Sequence, residues 1–562
     1  MPGRRVPSSN RASVRPPLIP PGLRISILLR KSIFPPARPR RYLPVLVLFC
    51  LCLIVPAVAD AGGDYWAPWV TKTTTTSATI NWQGETDGSG SIDYATANYY
   101  KEHNGFNKTV TAPTNSTFQH VPLTDLEPNT AYVYKVKPSG KEDVFSNRAF
   151  QTMPISGPFT FIVISDSQEG HHYTEGKRFK CVADAVAKET DILFVLHGGD
   201  YAGFDDETLW DTFFQVADGM LAKFAIFSCI GNHEYHNPAG ESNPPTAADH
   251  YHWAYDMPLN YSFDCAGIRF VILNSPDPNN AGDGDDPQPS LALTESQAGW
   301  LRDQLDNPMS GTFTMHHHPI WDNGRTTADT SLEPWETLYH TYRISATFAG
   351  HTHNYQRFLV EGIPYFIVGN AGGRFADLTG PAPVWFQFGG TRELGYLKVS
   401  VDPANNTATA QEIFVASVKD DDSDETPLVH DPPIIADTVT FPLKWKQPSE
   451  DEGCFIATAA YGSYVHSSVR ILREFRDTFL IPNPVGKAVV KLYYRISPGI
   501  ADAIRSNETL KAGTRILLLP AVGLSCLCLR LGFLPGLCLP LLFVAMIYGG
   551  IKKRWFPHAA RR

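Results

Sequence analysis

The sequence of 562 residues predicts an α/β protein in which an all-β sandwich precedes a larger domain built on buried strands. A small helical module and a transmembrane helix are predicted to follow. Three observations predict this architecture. Residues 64–153 combine short alternating strands with frequent turn clusters, which is typical of a sandwich. Residues 158–445 contain short continuous apolar runs, which suit strands buried on both faces. Residues 531–551 are uncharged over 21 positions, long enough to span a membrane.

The composition is that of a folded protein with an uneven charge distribution. Hydrophobic residues make up 43% and charged residues 19%, which excludes wholesale disorder. The formal net charge is −9, but residues 1–42 hold ten Lys or Arg and residues 552–562 hold five. Residues 43–551 therefore carry −24. A body this acidic repels polyanions, so we expect no nucleic-acid partner.

The two ends of the chain predict export and anchoring. Residues 1–59 resemble a signal peptide, because a basic stretch precedes an apolar run and an Ala-x-Ala site that ends at Ala59. An uncleaved anchor helix is the alternative. Residues 531–551 predict a transmembrane helix, and the basic tail 552–562 predicts a cytoplasmic C-terminus. Arg530 separates this span from the apolar run 516–529; we expect one span, with a membrane hairpin as the alternative. The ectodomain would then lie outside the cytoplasm, periplasmic or at the cell surface.

The β-rich region 64–153 carries one specific signal. Its segment Leu126–Val136 contains Tyr132 and Tyr134 after a Glu-Pro-Asn turn. This segment resembles the tyrosine corner of fibronectin type III domains, in which a tyrosine hydroxyl fixes a corner of the sheet. The resemblance implies a fibronectin type III-like domain over 64–153. We interpret it as a spacer and packing partner without chemistry of its own.

Polar clusters follow the apolar runs of residues 158–445, where α/β folds build their sites. The strands are expected at 159–165, 192–196, 224–230, 268–273, 313–315, 346–349 and 365–368, with a helix at 293–305. The domain ends near Trp445, after the acidic loop Lys419–Glu425. That loop lacks the spacing of a calcium-binding EF-hand, which favours a solvated surface run.

Five blocks of residues in this region predict a metal centre. They are Asp166-Ser-Gln168, Gly199-Asp200, Gly231-Asn232-His233-Glu234, His316-His317-His318-Pro319 and Gly350-His351-Thr352-His353. Carboxylate, amide oxygen and imidazole together are the ligand set for two first-row metal ions. A bridging carboxylate would hold such a pair roughly 3.5–4 Å apart, so that both grip one phosphate. Each block alone is a weak signal, and their order at strand ends is the specific one.

This order resembles the calcineurin-like metallophosphoesterase superfamily. The segments His252–Asp264, Ser296–Leu301 and Gly350–Arg357 resemble the purple acid phosphatase branch, which also carries a fibronectin-like N-terminal domain. The resemblance implies a four-layer αββα sandwich over 158–445. It also implies two metal ions, of Fe, Zn or Mn, and attack of a metal-bound hydroxide on a phosphate ester.

The resemblance assigns roles to individual residues of this sequence. Asp200 would bridge the two metals. The ligands of metal one would be Asp166, His353 and, as an amide-oxygen ligand in place of histidine, Gln168. The ligands of metal two would be Asn232, His317 and His351. His233 would act on the phosphate as general acid or charge stabiliser, and Glu234 would orient it. His318 and Arg357 are expected to contact the substrate.

Two positions depart from the family pattern. Purple acid phosphatases have a tyrosine three residues after the bridging aspartate, which colours the Fe(III), whereas this chain has Gly203. Tyr201 is near, but its side chain is expected on the other face of the extended chain. At position 168 the superfamily would place histidine. These departures leave the purple chromophore and the identity of the metals open.

Residues 452–515 form a further predicted module. The segment Cys454–Ser463 resembles the C-terminal Cys-Phe-Ile box of some exported bacterial proteins, and helical patterns follow at 467–480 and 485–494. Cys454 is interpreted as a buried thiol, with a modified or lipid-bearing thiol as the alternative. We interpret the module, together with the transmembrane helix, as an anchoring end.

The sequence therefore predicts an exported, membrane-anchored hydrolase of phosphate monoesters. A phosphodiesterase on the same two-metal core is an alternative. A second alternative is a surface-binding protein whose metal site has decayed, for which Gln168 and Gly203 are the only support.

Overall fold

A computed structural model of the chain describes residues 66–531 apart from several short segments. The described residues are 66–84, 90–112, 116–138, 145–168, 176–235, 249–275, 295–306, 309–323, 332–380, 382–419, 426–444, 455–461, 467–480, 484–505 and 507–531. The predicted signal peptide and basic tail lie outside them, as do Cys454 and all but the first residue of the predicted span 531–551.

The N-terminal region is sandwich-like, with two antiparallel sheets of three and four strands. Their orders are β1-β2-β5 and β4-β3-β6-β7. The elements are β1 (Trp69–Thr71), β2 (Ala78–Gln83), β3 (Ser91–Thr96), α1 (Ala97–His103), β4 (Lys108–Thr111), β5 (Phe118–Leu123), β6 (Ala131–Lys137) and β7 (Phe145–Gln151). The backbone N–H of Glu127 donates to the hydroxyl oxygen of Tyr132 at 2.8 Å, which ties the turn before β6 to that strand.

The larger region contains two mixed sheets. The first has six strands in the order β10-β9-β8-β18-β19-β20: β8 (Phe159–Ile164), β9 (Phe194–His197), β10 (Ala225–Ser228), β18 (Glu393–Asp402), β19 (Thr407–Ser417) and β20 (Leu428–Pro442). The second has seven strands in the order β11-β12-β13-β14-β16-β15-β17: β11 (Tyr261–Cys265), β12 (Ile268–Ile272), β13 (Gly311–Met315), β14 (Ala346–Ala349), β15 (Tyr355–Val360), β16 (Ile363–Val368) and β17 (Phe386–Gly390).

The two sheets face each other across an aromatic core. Phe161 of the first sheet packs edge-on against Phe270 and Phe313 of the second, with ring centroids 5.2 and 5.6 Å apart. Edge-to-face contacts of this kind stabilise aromatic pairs beyond the area they bury. The apolar runs read from the sequence are buried because each strand has this core on one face and helices on the other.

Helices cover the outer faces of both sheets. The first sheet packs against α2 (Lys177–Val186), α3 (Glu207–Leu221) and α4 (Asp249–Tyr255), and the second against α5 (Glu295–Asp306) and α6 (Glu333–Tyr342). A 3-10 turn spans His233–Tyr235. The order helix, sheet, sheet, helix agrees with the predicted four-layer αββα arrangement, and α5 lies within two residues of the helix expected at 293–305.

The sandwich-like region packs firmly onto the first outer layer. Trp66 is buried and stacks on Phe214 of α3 at 4.2 Å. The indole N–H groups of Trp66 and Trp69 donate to Asp211 and to the carbonyl of Ala254, at 2.6 and 3.0 Å. The N-terminal region therefore shares a core with α3 and α4.

In the described part of the chain after β20 there are four helices, with a π-helical turn at Arg476–Leu480. They are α7 (Phe455–Tyr461), α8 (Ser467–Phe475), α9 (Pro484–Arg505) and α10 (Glu508–Leu531). The sequence pattern ended the α9 helix at residue 494, but the helix continues through Pro498 and Gly499. Within the described residues, Thr509–Arg530 of α10 is long and apolar enough to cross a membrane, with a mean hydropathy of 1.8. The span predicted at 531–551 begins where this helix ends and, apart from Leu531, lies outside the described residues.

Candidate metal centre

The five predicted blocks all lie at the carboxyl ends of neighbouring strands. Asp166 follows β8, Asp200 follows β9, and Asn232 follows β10 in the first sheet. His317 follows β13 and His351 follows β14 in the second sheet. Because β8, β9 and β10 are mutually parallel, as are β13 and β14, these ends meet along the edges of the two facing sheets. The topology thus gathers residues that are up to 187 positions apart.

The backbone is unusual at three of these positions. Asp166, Asp200 and His351 have φ angles of 58°, 56° and 67°, in the left-handed region that non-glycine residues rarely occupy. Each such residue costs on the order of 1–3 kcal/mol, and such strain clusters at functional sites. The strained turns aim all three side chains into one place.

The glycines of the blocks allow the close approach of these turns. A Cβ at Gly231 would overlap the carboxylate of Asp200, and one at Gly350 would overlap Asp166. Any larger residue before Asn232 or His351 would therefore push a carboxylate out of the site.

Two groups of potential ligand atoms result. Asp166, Asp200 and His353 place one donor atom each within 4.8 Å of one another. His317, His318 and His351 form a second group by the same measure. Asp166 is completely buried, and its carboxylate accepts hydrogen bonds from the backbone N–H of His351. This contact links the first group to the second.

Asp200 lies between the two groups. Its Oδ2 is 3.2 Å from Nε2 of His317 in the second group, although Asp200 itself belongs to the first. Asn232 adds an amide oxygen to the second group, because its Oδ1 is 3.1 Å from both Nε2 of His317 and Nδ1 of His351. The arrangement is that of a shared carboxylate with imidazole and amide donors on one side.

Backbone carbonyls orient three of the imidazoles. The Nδ1–H of His317 donates to the carbonyl of Gly198 at 2.8 Å, and that of His353 to Arg374 at 2.5 Å. His233 makes the same bond to Gly203 at 2.7 Å. In each ring Nε2 is left to face the site, which is the arrangement typical of metal-binding histidines.

The charges of the site favour cations. Burial lowers the pKa of His317, but the carboxylate of Asp200 outweighs it and raises that pKa to about 10. Burial likewise opposes the ionisation of Asp200, yet His317 and His233 hold its pKa well below the usual range. Burial and the charge on His317 lower the pKa of His351 to about 3. A metal ion would displace the proton of His317, since ligation needs neutral imidazole.

Gln168 also points into the centre. It is buried, and its Nε2 donates to Oδ2 of Asp200 at 3.0 Å and lies 3.2 Å from Nε2 of His353. Its buried Oε1 has no hydrogen-bond partner. A 180° rotation of the amide would turn this oxygen toward Asp200 and His353, so the side chain fits an oxygen ligand of a cation held there.

His233 lies at the exposed edge of the centre. Its side chain is 30% exposed, and its Nε2 is 3.9 Å from Oδ2 of Asp200. Its backbone N–H donates to Oδ1 of the same carboxylate at 3.0 Å. The ring therefore stands over the shared carboxylate, where a substrate would enter.

Glu234 has a different partner from the one predicted. The carboxylate was expected to orient His233, but it accepts three backbone N–H groups, of Asp200, Tyr201 and Gly231, at 2.9, 2.7 and 2.7 Å. It thus joins the loop after β9 to the loop after β10. The carbonyl of Gly203 orients the His233 ring. This role could not be predicted, because every residue type has a backbone carbonyl.

The three consecutive histidines separate as expected. His317 faces Asp200, whereas His316 packs against Trp335 and hydrogen-bonds to Thr347, away from the centre. His318 is buried with its ring 4.4 Å from that of His351, and its Nδ1 is 2.9 Å from the hydroxyl of Ser275. His318 is thus a member of the second donor group, and its neighbour Ser275 was not among the predicted site residues.

Arg357, expected to contact the substrate, has a partner within the protein. The guanidinium forms a paired contact with Asp437 of β20, at 2.6 and 3.0 Å. Tyr355 donates to the same carboxylate at 3.0 Å. Two of the directed donors of Arg357 are thereby engaged with a structural partner that lies far along the chain and that the local motif could not reveal.

Tyr201 does not replace the missing tyrosine. Its ring is buried against His197, with centroids 3.7 Å apart, and its hydroxyl donates to Ser228 at 2.7 Å. This confirms the expectation from strand alternation that Tyr201 points away from the metal centre.

Residues 159–355 match the calcineurin-like phosphoesterase family. Probable purple acid phosphatase 20 of Arabidopsis thaliana is 29% identical over 253 residues, which cover 42% of this chain and 53% of that protein. Fe(3+)-Zn(2+) purple acid phosphatase 12 of the same plant is 26% identical over 351 residues, 58% of this chain and 68% of that protein. The chain thus spans little more than half the length of the first of these relatives.

The fold is also similar to that of a purple acid phosphatase. The purple acid phosphatase PPD1 from yellow lupin seeds superposes with a TM-score of 0.51 at 15% sequence identity, over 67% of this chain and 74% of that one. The family match over residues 159–355 contains every strand end that carries a predicted ligand from Asp166 to His351. Residues 159–355 thus match the calcineurin-like phosphoesterase family, and the chain is similar in sequence and in fold to purple acid phosphatases.

Proposed function

We propose that this protein hydrolyses phosphate monoesters at a binuclear metal centre. The observation that carries the proposal is the position of Asp200, whose carboxylate belongs to one group of donors and contacts the other at 3.2 Å. A carboxylate shared in this way is what two neighbouring cations require. Two bound metals would polarise the phosphate oxygens and supply an activated water.

The remaining donors divide between two metals. We assign Asp166, His353 and Gln168 to the first and Asn232, His317 and His351 to the second, with Asp200 bridging. His318 lies close enough to His351 to contact either the second metal or the substrate. Iron, zinc and manganese all suit this donor set. Because Gly203 provides no phenolate, we expect a centre without the purple colour.

His233 is the proposed acid. Its Nδ1–H is held by the Gly203 carbonyl, so Nε2 is the atom that would protonate the leaving oxygen or stabilise charge on the phosphate. Its position at the exposed side of Asp200 supports this role. Glu234 acts through the backbone, because it fixes the loops that carry Asp200 and Asn232.

We further propose that the protein is exported and anchored in a membrane. The signal-like residues 1–59 and the uncharged run 531–551 support this proposal, and α10 adds an apolar helix directly before that run. The predicted domains, fibronectin type III-like over 64–153, catalytic over 158–445 and helical over 452–515, are part of the same proposal.

The test is an assay of the purified protein loaded in turn with iron, zinc and manganese. Turnover of para-nitrophenyl phosphate well above that of its bis-ester supports the monoesterase. Equal or faster turnover of the bis-ester favours a phosphodiesterase, and no turnover of either favours a binding protein with a decayed site.

Replacement of the shared carboxylate tests the binuclear centre directly. Asp200→Ala should lose both metals and reduce turnover to background, because each metal loses its common ligand. Metal content by mass spectrometry and turnover are measured together. Asp184→Ala, on the exposed side of α2, is the matched control and should keep both metals. Two tightly bound ions in the Asp200 variant would contradict the bridge.

A further inference from the structure

The helical end of the chain has the opposite charge to the rest. Residues 455–531 contain ten Lys or Arg and four Asp or Glu, a net charge of +6. Residues 64–445 contain 22 basic and 49 acidic residues, a net charge of −27. An anionic surface would therefore attract the helices and repel the catalytic region.

Helix α9 exposes an apolar stripe. Val489, Leu492 and Ile500 are 55%, 60% and 46% exposed. At about 100° per residue, these three positions fall within an arc of about 80° on one side of the helix. Val490 and Ile504, on an adjacent side, are buried in the helical module. The stripe is therefore additional to the face that α9 uses for packing.

Three of the four basic positions of α9 fall on the side opposite to the stripe. They are Lys487, Lys491 and Arg505, whereas Arg495 lies about 100° from the middle of the stripe. A helix with an apolar side and a Lys- or Arg-rich opposite side typically lies in the plane of a membrane surface, with the apolar side inserted below the headgroups. Basic residues close to an anionic membrane surface are attracted to it, so these positions would favour binding to such a surface.

The chain holds this helix close to the apolar segments. Only two residues separate α9 from α10, whose apolar stretch Thr509–Arg530 is only 11% buried. Ile516 and Leu517 of α10 are 68% and 79% exposed. The uncharged run 531–551 continues from there. The proposed attachment of this segment to a membrane would therefore bring a lipid surface within reach of α9.

We infer that α9 is an in-plane membrane helix that inserts Val489, Leu492 and Ile500 into a bilayer containing anionic lipid. It would fix the helical module on the surface while the acidic catalytic region faces away from it. The inference rests on the proposed attachment to a membrane and is independent of the catalytic activity.

The test places a photo-crosslinking residue in the full-length protein. p-Benzoylphenylalanine replaces Leu492 or, as the control, the exposed Ile155 of the catalytic side. Both proteins are reconstituted into vesicles of phosphatidylcholine, with or without phosphatidylglycerol, and adducts are identified by mass spectrometry. We expect lipid adducts at position 492 that increase with phosphatidylglycerol, and none at position 155.

A charge reversal tests the electrostatic part. Lys487→Glu with Lys491→Glu should lower the adduct yield at position 492 several-fold. The matched control, Lys188→Glu with Lys419→Glu, changes the net charge equally on the acidic region and should leave the yield unchanged.

Retention of the protein by the vesicles after an alkaline wash reports the membrane span separately. Retention without lipid adducts at position 492, or crosslinks from that position into residues 532–551, would overturn the inference and leave the attachment standing. Adducts without retention would support the role of α9 and overturn the span.

Discussion

The hydrogen bond between His233 and the carbonyl of Gly203 fixes which ring nitrogen faces the metal centre. Because Nδ1–H is engaged at 2.7 Å, Nε2 is the nitrogen that would exchange a proton with the leaving group of the proposed substrate. The ring is 30% exposed and belongs to neither donor group, so its loss should leave the metals in place.

The corresponding prediction concerns His233→Ala. Metal content should be unchanged, and kcat should fall by about 10²–10⁴, the usual contribution of a general acid. Steady-state kinetics and metal analysis on the same preparation check this. A loss of metal would instead assign His233 to the ligands, and an unchanged kcat would remove it from the chemistry.

The site could be predicted from the sequence where its side chains are themselves the signal. Asp166, Asp200, Asn232, His317 and His351 stand in order after apolar runs, and the fold brings them together. The contact between Arg357 and Asp437 could not be predicted, because Asp437 is 80 residues away, beyond any local pattern. Roles that depend on backbone groups, such as the carbonyl of Gly203, cannot be predicted from residue types, because every residue has a backbone carbonyl.

At the scale of elements, the contact between the sandwich-like region and α3 gives a stability prediction. Trp66 is buried between strand β2 and α3, stacked on Phe214 and within 5.9 Å of Trp210. Trp66→Ala should lower the free energy of unfolding by about 3–5 kcal/mol, the usual effect of removing a buried aromatic ring. Chemical denaturation measures it, with the half-exposed Trp253→Ala as the milder control. A smaller loss for Trp66 than for Trp253 would show that the two regions fold separately.

Strand β19 carries a buried carboxyl group outside the metal centre. Glu412 is fully buried and hydrogen-bonded to Asn370 at 2.9 Å. Burial raises its pKa to about 8, Asn370 opposes the rise, and Asp437 adds to it. The folded protein therefore holds a proton at pH values where the unfolded chain, with an ordinary glutamate pKa, has released it.

This difference gives a pH prediction. The stabilising contribution of protonated Glu412 should be complete below about pH 4.5 and should be lost as the pH rises through about 8, at up to about 1.4 kcal/mol per pH unit. Glu412→Gln, which stays neutral, should weaken the decline in unfolding free energy between these values. Denaturant titrations near pH 5 and near pH 8 measure it; parallel curves for both proteins would contradict the prediction.

The presence of these strands could be predicted from the sequence, whereas their pairing in the sheets could not. The apolar runs identified β8, β9, β10 and β12–β14, since strands buried on both faces need continuous apolar sequence. The pairing of β18 with β8 joins residues more than 200 positions apart, and no local pattern encodes it. The limit of α9 was misjudged because packing by Val490 and Ile504 carries the helix past Pro498.

At the scale of the whole molecule, the net charge of residues 64–445 would oppose the approach of the proposed substrate. These residues carry −27, and a phosphate monoester is a dianion at neutral pH. Metals bound at the proposed centre would attract it only at short range, while the surrounding field acts over a Debye length of about 10 Å at 0.1 M salt.

Moderate salt should therefore improve substrate capture. Between low and physiological ionic strength, KM for para-nitrophenyl phosphate should fall about two- to threefold while kcat stays constant, because screening weakens long-range repulsion more than contacts at the metals. A monoanionic diester substrate should show a smaller change, which makes it the internal control. A KM that rises with salt would contradict this prediction. It would mean that cationic groups at the rim around His233 and His318 outweigh the acidic surface.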